Sequence, residues 1–189
     1  RKPINTVMVS SSRIFEVIER LKAAIKTGNQ IYWVCPLVED SEFIELTSAE
    51  DRANKLSKVL GRDNVGLVHG KMPAEEKDEV MLDFINNKIK ILVATTVIEV
   101  GVDVPNATII VIEHSERFGL SQLHQLRGRV GRGSDASTCL MLYEPPLGKT
   151  AKKRLEAIRE TNDGFKIANV DLKLRGAGDV LGVAQSGLP

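Results

Sequence analysis

The sequence is poor in cysteine. Cys35 and Cys139 stand far apart in apolar runs, with no C-x-x-C pair and no histidine spacing to match them. That argues against a zinc site and a disulfide framework, and leaves two buried thiols suited to a reducing compartment. Long apolar runs are missing too. The longest fall far short of the roughly 18 residues that a membrane-spanning helix needs, and no secretory leader is visible. Internal repeats and low-complexity tracts are absent. Net charge is almost absent: at +1 over 189 residues, with pI near 7.9, no global field draws a polyanion, so any basic surface must be local.

What is present suits one soluble domain with an appendage, since 42% of the residues are hydrophobic and can supply a core. Charge is unevenly placed. From Glu39 to Asp51 there are six acidic residues and no basic one, whereas Lys149 to Arg159 holds five basic residues and only Glu156. The first stretch repels a polyanion and the second attracts it. The chain starts at Arg1 rather than Met, as a piece of a longer protein would.

The stretch from Gln122 to Gly133, QLHQLRGRVGRG, contains Q-x-x-G-R-x-G-R with Gln125, Gly128, Arg129, Gly131 and Arg132 in place. A helix capped by Ser121 would put Arg129 and Arg132, three apart, on one face. Gln125, Leu126 and Val130 offer those arginines no carboxylate, so the spacing predicts unpartnered positive charge. Glycines at 128, 131 and 133 each weaken a helix by up to about 1 kcal/mol against alanine, a local penalty that lets a ligand approach the backbone closely. Always-charged planar donors suit a phosphoryl group in transfer, as arginine fingers do. A solvated basic helix end accounts for a lone R-x-x-R, but not for the full string with its glycines. The reading requires that the two guanidiniums are not locked inward against carboxylates of their own fold.

Strand and helix patterns alternate. Thr6–Val9, Ile31–Leu37, Val65–Val68, Ile89–Thr95, Ala107–Ile112 and Thr138–Tyr143 read as strands, most of them near-continuous apolar runs of the kind buried on both faces. Helical spacing runs from Ile14 to Ile25 and stops at Gly28; Ser11 and Ser12 offer its caps. Thr47 with Glu50 suggests a capping box that opens a second helix ending near Gly61. Pro73 suits the first turn of a third, whose stripe is Val80, Met81 and Phe84. This alternation predicts a parallel sheet covered on both faces, with ligands at the strand ends, where Thr95-Thr96 and the turn after Val68 fall. Beyond Pro145-Pro146 the pattern changes to a basic helix over Lys149–Thr161, a second over Asn162–Val170, and a glycine-rich stretch without periodicity from Leu174.

Two motifs are decoys. Gly148-Lys149-Thr150 looks like the end of a Walker loop, but Tyr143 stands where its first glycine belongs, and Pro145 and Pro146 lack the N–H groups that wrap phosphates. Gly176, Gly178 and Gly182 imitate a dinucleotide fingerprint, with too little chain after them for a βαβ unit. No triphosphate cradle remains, so a phosphate served by Arg129 and Arg132 must be held by another domain. His69, His114 and His124 read as structural histidines, and Glu113 as a structural carboxylate.

The string ILVATTVIEVGVDVP from Ile91 to Pro105, followed by HQLRGRVGRG, resembles motifs V and VI of the superfamily 2 helicases, which lie on the second of two RecA-like domains. Val68-His69-Gly70, TNDGFKIANVDLKLRGAGDVLG and Gln185-Ser186-Gly187 narrow the likeness to the RecG family of bacterial branched-DNA helicases; the transcription-repair coupling factors share much of it. The resemblance implies an α/β, RecA-like parallel sheet with helices on both faces over residues 1–145. A helical hairpin and an irregular translocation-motif loop follow over 146–189.

It implies an ATP-dependent helicase that remodels stalled forks and recombination junctions in the bacterial cytoplasm, associated with the nucleoid and with no membrane role. ATP and Mg2+ would be held mainly by a first RecA-like domain, which with an N-terminal wedge domain and branched or forked double-stranded DNA completes the partners. The isolated chain is then expected to be inactive. Residue by residue, Arg129 and Arg132 would reach the phosphates and Gln125 would orient that site. Gly101 and Asp103 would lie beside the nucleotide, Asp103 near the ribose, and Thr95, Thr96 and Lys77 would contact DNA phosphates, which carry no sequence information. Arg154, Arg175 and Gln185 would couple cleft closure to movement. Ala74 and Lys77 depart from the Gln and Arg of many relatives, which leaves Lys77 as a point charge only. Two other readings share some of these features: an RNA helicase or polymerase-displacing translocase, and a non-catalytic nucleic-acid adaptor. The segment from Thr161 to Gly187 argues against an RNA helicase, and the paired arginines argue against the adaptor.

Overall fold

The computed structural model describes the backbone of residues 3–36, 42–95 and 103–186, and the side chains of 3–36, 48–95 and 103–176. Six strands, β1 (Asn5–Ser10), β2 (Gln30–Cys35), β3 (Val65–Val68), β4 (Ile91–Thr95), β5 (Ala107–Ile112) and β6 (Thr138–Tyr143), form one sheet in the order β1-β6-β5-β2-β4-β3. Every pairing is parallel. Among the described residues six α-helices accompany them: α1 (Ile14–Lys26), α2 (Glu42–Leu60), α3 (Ala74–Ile85), α4 (Leu120–Arg127), α5 (Lys149–Glu160) and α6 (Gly164–Ser186).

The period of two along each strand sorts the core into two layers. Ile31, Trp33 and Cys35 of β2 pack on one face with Val17, Ile18 and Leu21 of α1 and Ala53, Leu56 and Leu60 of α2. Tyr32 and Val34 pack on the other with Phe84 of α3, Leu120 and Leu123 of α4, Leu155 and Ile158 of α5, and Ile167 of α6. The apolar strand runs are therefore buried on both sides, as their composition predicts. The hairpin of α5 and α6 shares this second layer with the sheet.

Three local expectations are corrected. Helix α2 begins at Glu42 rather than Thr47, so Glu42 and Glu45 of the acidic stretch belong to the helix and not to a connector before it. Neither Ser11 nor Ser12 caps α1: they lie in a 3-10 turn, Ser11–Arg13, capped by Ser10, whose Oγ accepts from Ser12 N–H at 3.4 Å, and the N-cap of α1 is Arg13. The glycine-rich segment from Leu174 is not irregular, because α6 runs without a break to Ser186. Val170 and Leu174, one turn apart, pack on the shared core, and a helix already anchored there adds a hydrogen bond for each further residue, which outweighs the glycine penalty. Stops at Gly28 and Gly61 fall where expected, both with positive φ, at 90° and 96°. Among the described residues, no helix is long and apolar enough to cross a membrane.

Candidate functional site

Helix α4 positions the arginine string. Gly119 is its N-cap, not Ser121, and its N–H donates to Gln122 Oε1 at 3.1 Å. The inward stripe is Leu120, Leu123 and then Arg127, at helical spacing. Arg127 ends the helix, and Gly128 caps it. Arg129 and Arg132 therefore lie in the turn beyond the helix, not on its face. What aims them is Val130, fully buried between them, together with Gly131, whose φ of 82° reverses the chain.

The turn packs against a second loop. A Cβ on Gly133 would sit 2.5 Å from the carbonyl oxygen of Pro105, so only glycine allows this approach. The contact sets Asp103 beside the arginines: Arg132 Nη1 lies 3.0 Å from Asp103 Oδ1, and Arg132 Nε donates to the Gly128 carbonyl at 3.1 Å. The expectation that both arginines lack a carboxylate is thus corrected, because the partner comes from 29 positions upstream in sequence and not from α4. The pair faces outward, with the side chains of Arg132 and Asp103 38% and 66% exposed. Arg129 is different. Its Nη2 is buried and has no hydrogen-bond partner among the described residues, a donor whose desolvation costs about 1–3 kcal/mol until an acceptor arrives.

Beneath this cluster lies Tyr32, its ring tilted against Phe84 with centroids 5.1 Å apart. Burial pushes its hydroxyl up to about 12; the positive charges of Arg129 and Arg132 oppose that rise, and Asp103 adds to it. Tyr32 thus lies in the field of all three charged groups and stays neutral as their floor. Phosphate fits this set better than a metal ion does: among the described residues its one carboxylate is occupied by Arg132, and the unmet donor on Arg129 calls for an anion.

The other expected site residues lie elsewhere. Thr95 closes the carboxyl end of β4 opposite Cys35, whereas Asp103 leads into the amino end of β5, opposite Gln30. The two ends of β2 are thereby assigned to different residues, about 17 Å apart at 3.3 Å per residue. Thr95 is buried, with no partner for its hydroxyl among the described residues. Thr96 and Gly101 lie outside the described residues, as does the side chain of Gln185. Gln125 is exposed on α4, and Lys77 is half-buried on α3.

Arg154 is not a solvated helix charge: its Nη2 donates to the Glu116 carbonyl at 3.0 Å and ties α5 to the turn after β5. Arg175 pairs with Asp171 one turn back, at 3.2 Å, and remains 68% exposed. Arg175 and Asp171, but not Arg154, line a cleft of about 200 Å³ between α4 and α6, with Ser121, His124, Gly164 and Leu172. Glu113 is structural, as read: it accepts from Trp33 Nε1 at 2.8 Å and from Arg52 at 2.7 and 3.1 Å.

The residue that sequence reasoning missed is Arg127. It is 1% exposed, and its guanidinium donates to the carbonyl of Ile158 near the end of α5, to Thr6 Oγ1 of β1 at 3.5 Å and to His124 Nδ1 at 3.0 Å. Burial lowers its pKa and the neighbouring Cys139 raises it. The signal was the spacing of Leu120, Leu123 and Arg127, which places an arginine on an inward stripe.

Residues 14–134 match the family model of the helicase conserved C-terminal domain, and residues 161–189 match that of ATP-dependent DNA helicase RecG, domain 3, C-terminal. The chain is 53% identical to ATP-dependent DNA helicase RecG of Haemophilus influenzae over 100% of its own length and 27% of that protein. It is 49% identical to the Bacillus subtilis protein of that name, over 100% and 28%. In three dimensions it superposes on RecG bound to a three-way DNA junction with a TM-score of 0.80 and 45% identity, covering 95% of this chain and 23% of that one. The chain thus spans just over a quarter of the length of these curated relatives. With a parallel sheet of RecA type, the arginine turn docked on the loop before β5, and these matches, the chain belongs to the helicase conserved C-terminal domain family.

Proposed function

We propose that this chain is the second motor domain of an ATP-dependent helicase acting on branched or forked double-stranded DNA at stalled forks and recombination junctions. The observation that carries this reading is the buried Nη2 of Arg129, without a hydrogen-bond partner among the described residues, beside the outward-facing Arg132. Two fixed cations, one with an unmet donor, suit the charge that spreads over a phosphoryl group as it transfers. The triphosphate and its Mg2+ sit on a first RecA-like domain of the same protein, alongside a wedge domain, and Gln125 faces that partner. The metal, when bound there, neutralises charge between the phosphates. Thr95, Thr96 and Lys77 form the DNA-phosphate contacts, and Gly101 lines the nucleotide side.

Residues 146–189 act as the coupling element. Arg127 supports this, because the residue two before the first finger grips the end of α5, while a Cβ on Gly164, the first residue of α6, would lie 3.2 Å from Nε2 of His124. Any shift of the arginine turn is passed to both hairpin helices through α4. Arg154, Arg175 and Gln185 carry it onward to the DNA.

Two measurements test these assignments. In the full-length helicase, Arg175→Ala is expected to keep ATP turnover within about twofold of wild type and to lower the fork unwound per ATP by about tenfold or more, since the residue acts after hydrolysis. Unwinding per ATP at the wild-type value removes the coupling role. The isolated chain is expected to show no DNA-stimulated ATP hydrolysis in a phosphate-release assay, and measurable turnover would place a cradle within it.

A further inference from the structure

We propose that Asp103 is a positioning residue for Arg132, holding that guanidinium in its working orientation rather than serving the nucleotide's ribose. The inference rests on the arginine-finger reading above and adds the part that holds the finger. Arg132 comes after a left-handed glycine in a turn without regular structure, so its own backbone fixes it poorly. Asp103, in contrast, rides on an anchored arm. Val104 is buried, Ala107 N–H closes a turn on the Val104 carbonyl at 2.9 Å, and Asn106 Nδ2 donates to the Gly28 carbonyl at 2.8 Å and to Gln30 Oε1 at 3.2 Å. Gln30 is itself held by the carbonyls of Phe84 and Ile89, at 2.6 and 2.8 Å. The Pro105 carbonyl then meets Gly133 so closely that no side chain fits between.

Two of the three guanidinium nitrogens of Arg132 are thereby fixed, Nη1 by Asp103 and Nε by the Gly128 carbonyl. A planar fork held at two corners has its third corner set in direction. Nη2 is the corner left for an acceptor from outside, on the same turn as Nη2 of Arg129, which has no hydrogen-bond partner among the described residues. A carboxylate engaged in this way is not available to a ribose hydroxyl without releasing the finger, and the two roles make opposite predictions.

The test uses the full-length helicase with forked DNA, comparing wild type, Asp103→Ala, Asp103→Glu, Arg132→Ala and the double alanine variant. Asp103 is largely exposed, so the variants fold. With Asp103 as holder, Asp103→Ala lowers kcat on the order of tenfold, as loss of orientation does, with KM for ATP changed by less than about twofold. Asp103→Glu restores most of the rate, and Asp103→Ala adds nothing in the Arg132→Ala background. The preference for ATP over 2′-deoxy-ATP and 3′-deoxy-ATP, read as the ratio of kcat/KM, is unchanged by Asp103→Ala. Wild-type kcat in Asp103→Ala, additive losses in the double variant, or a collapse of the ribose preference overturns the holding role alone. Wild-type turnover in Arg132→Ala overturns the finger reading and this inference with it.

Discussion

In the full-length helicase, Arg132→Ala lowers DNA-stimulated ATP turnover by about a thousandfold while leaving the Kd for forked DNA within about threefold, the pattern of a contact made chiefly in the transition state. The size follows from what is removed. Arg132 is a delocalised cation fixed at Nη1 and Nε, so it needs little reorganisation when charge develops on the phosphoryl oxygens. The side chain is 38% exposed and the fold does not depend on it, so the thermal midpoint should stay near wild type. Arg132→Lys recovers little, because a point charge lacks the fork that Asp103 and the Gly128 carbonyl hold. Turnover by phosphate release and DNA affinity by fluorescence anisotropy decide it; an unchanged rate would remove the finger assignment.

The second large effect is on stability. Arg127→Ala is expected to destabilise the chain by about 3–5 kcal/mol, since it deletes a long side chain from a closed interior and leaves buried acceptors unpaired. Those acceptors are the Ile158 carbonyl and Thr6 Oγ1, on α5 and β1. Arg127→Met keeps most of the volume but not the donors, and is expected to cost about half as much. Urea unfolding of the purified chain measures both. Equal, small losses would mean that water replaces the guanidinium, so that the joint among β1, α4 and α5 is not held by it.

The sheet was readable because its strands are apolar runs buried on both faces, and such runs have few alternatives. Ile31 to Cys35 and Ile109 to Ile112 could hardly lie anywhere but in the middle. The site was readable only as a string. Glycines and arginines at fixed spacing indicated phosphate chemistry, but their geometry was hidden, because Val130 and Gly131 turn the chain out of the helix that the spacing suggested. The bond from Arg132 to Asp103 joins the loops that lead into β6 and β5, which the parallel β5–β6 pairing brings near each other. Arg127 was missed for a related reason: its spacing from Leu120 and Leu123 hints at an inward position, but its burial is completed by α5, which begins more than twenty residues later. The length of α6 was misjudged because glycine content was weighed without the anchoring supplied by Val170 and Leu174.

The edge position of β1 has a consequence for how such a protein is made. Its sheet partner is β6, with Asn5 opposite Thr138 and Ser10 opposite Tyr143, so the first of these six strands to be synthesised finds its neighbour only after more than a hundred and twenty further residues have followed it. Until then it is an unpaired edge, open to other chains. Slowing elongation between β2 and β6 should therefore lengthen the interval in which the nascent protein depends on chaperones.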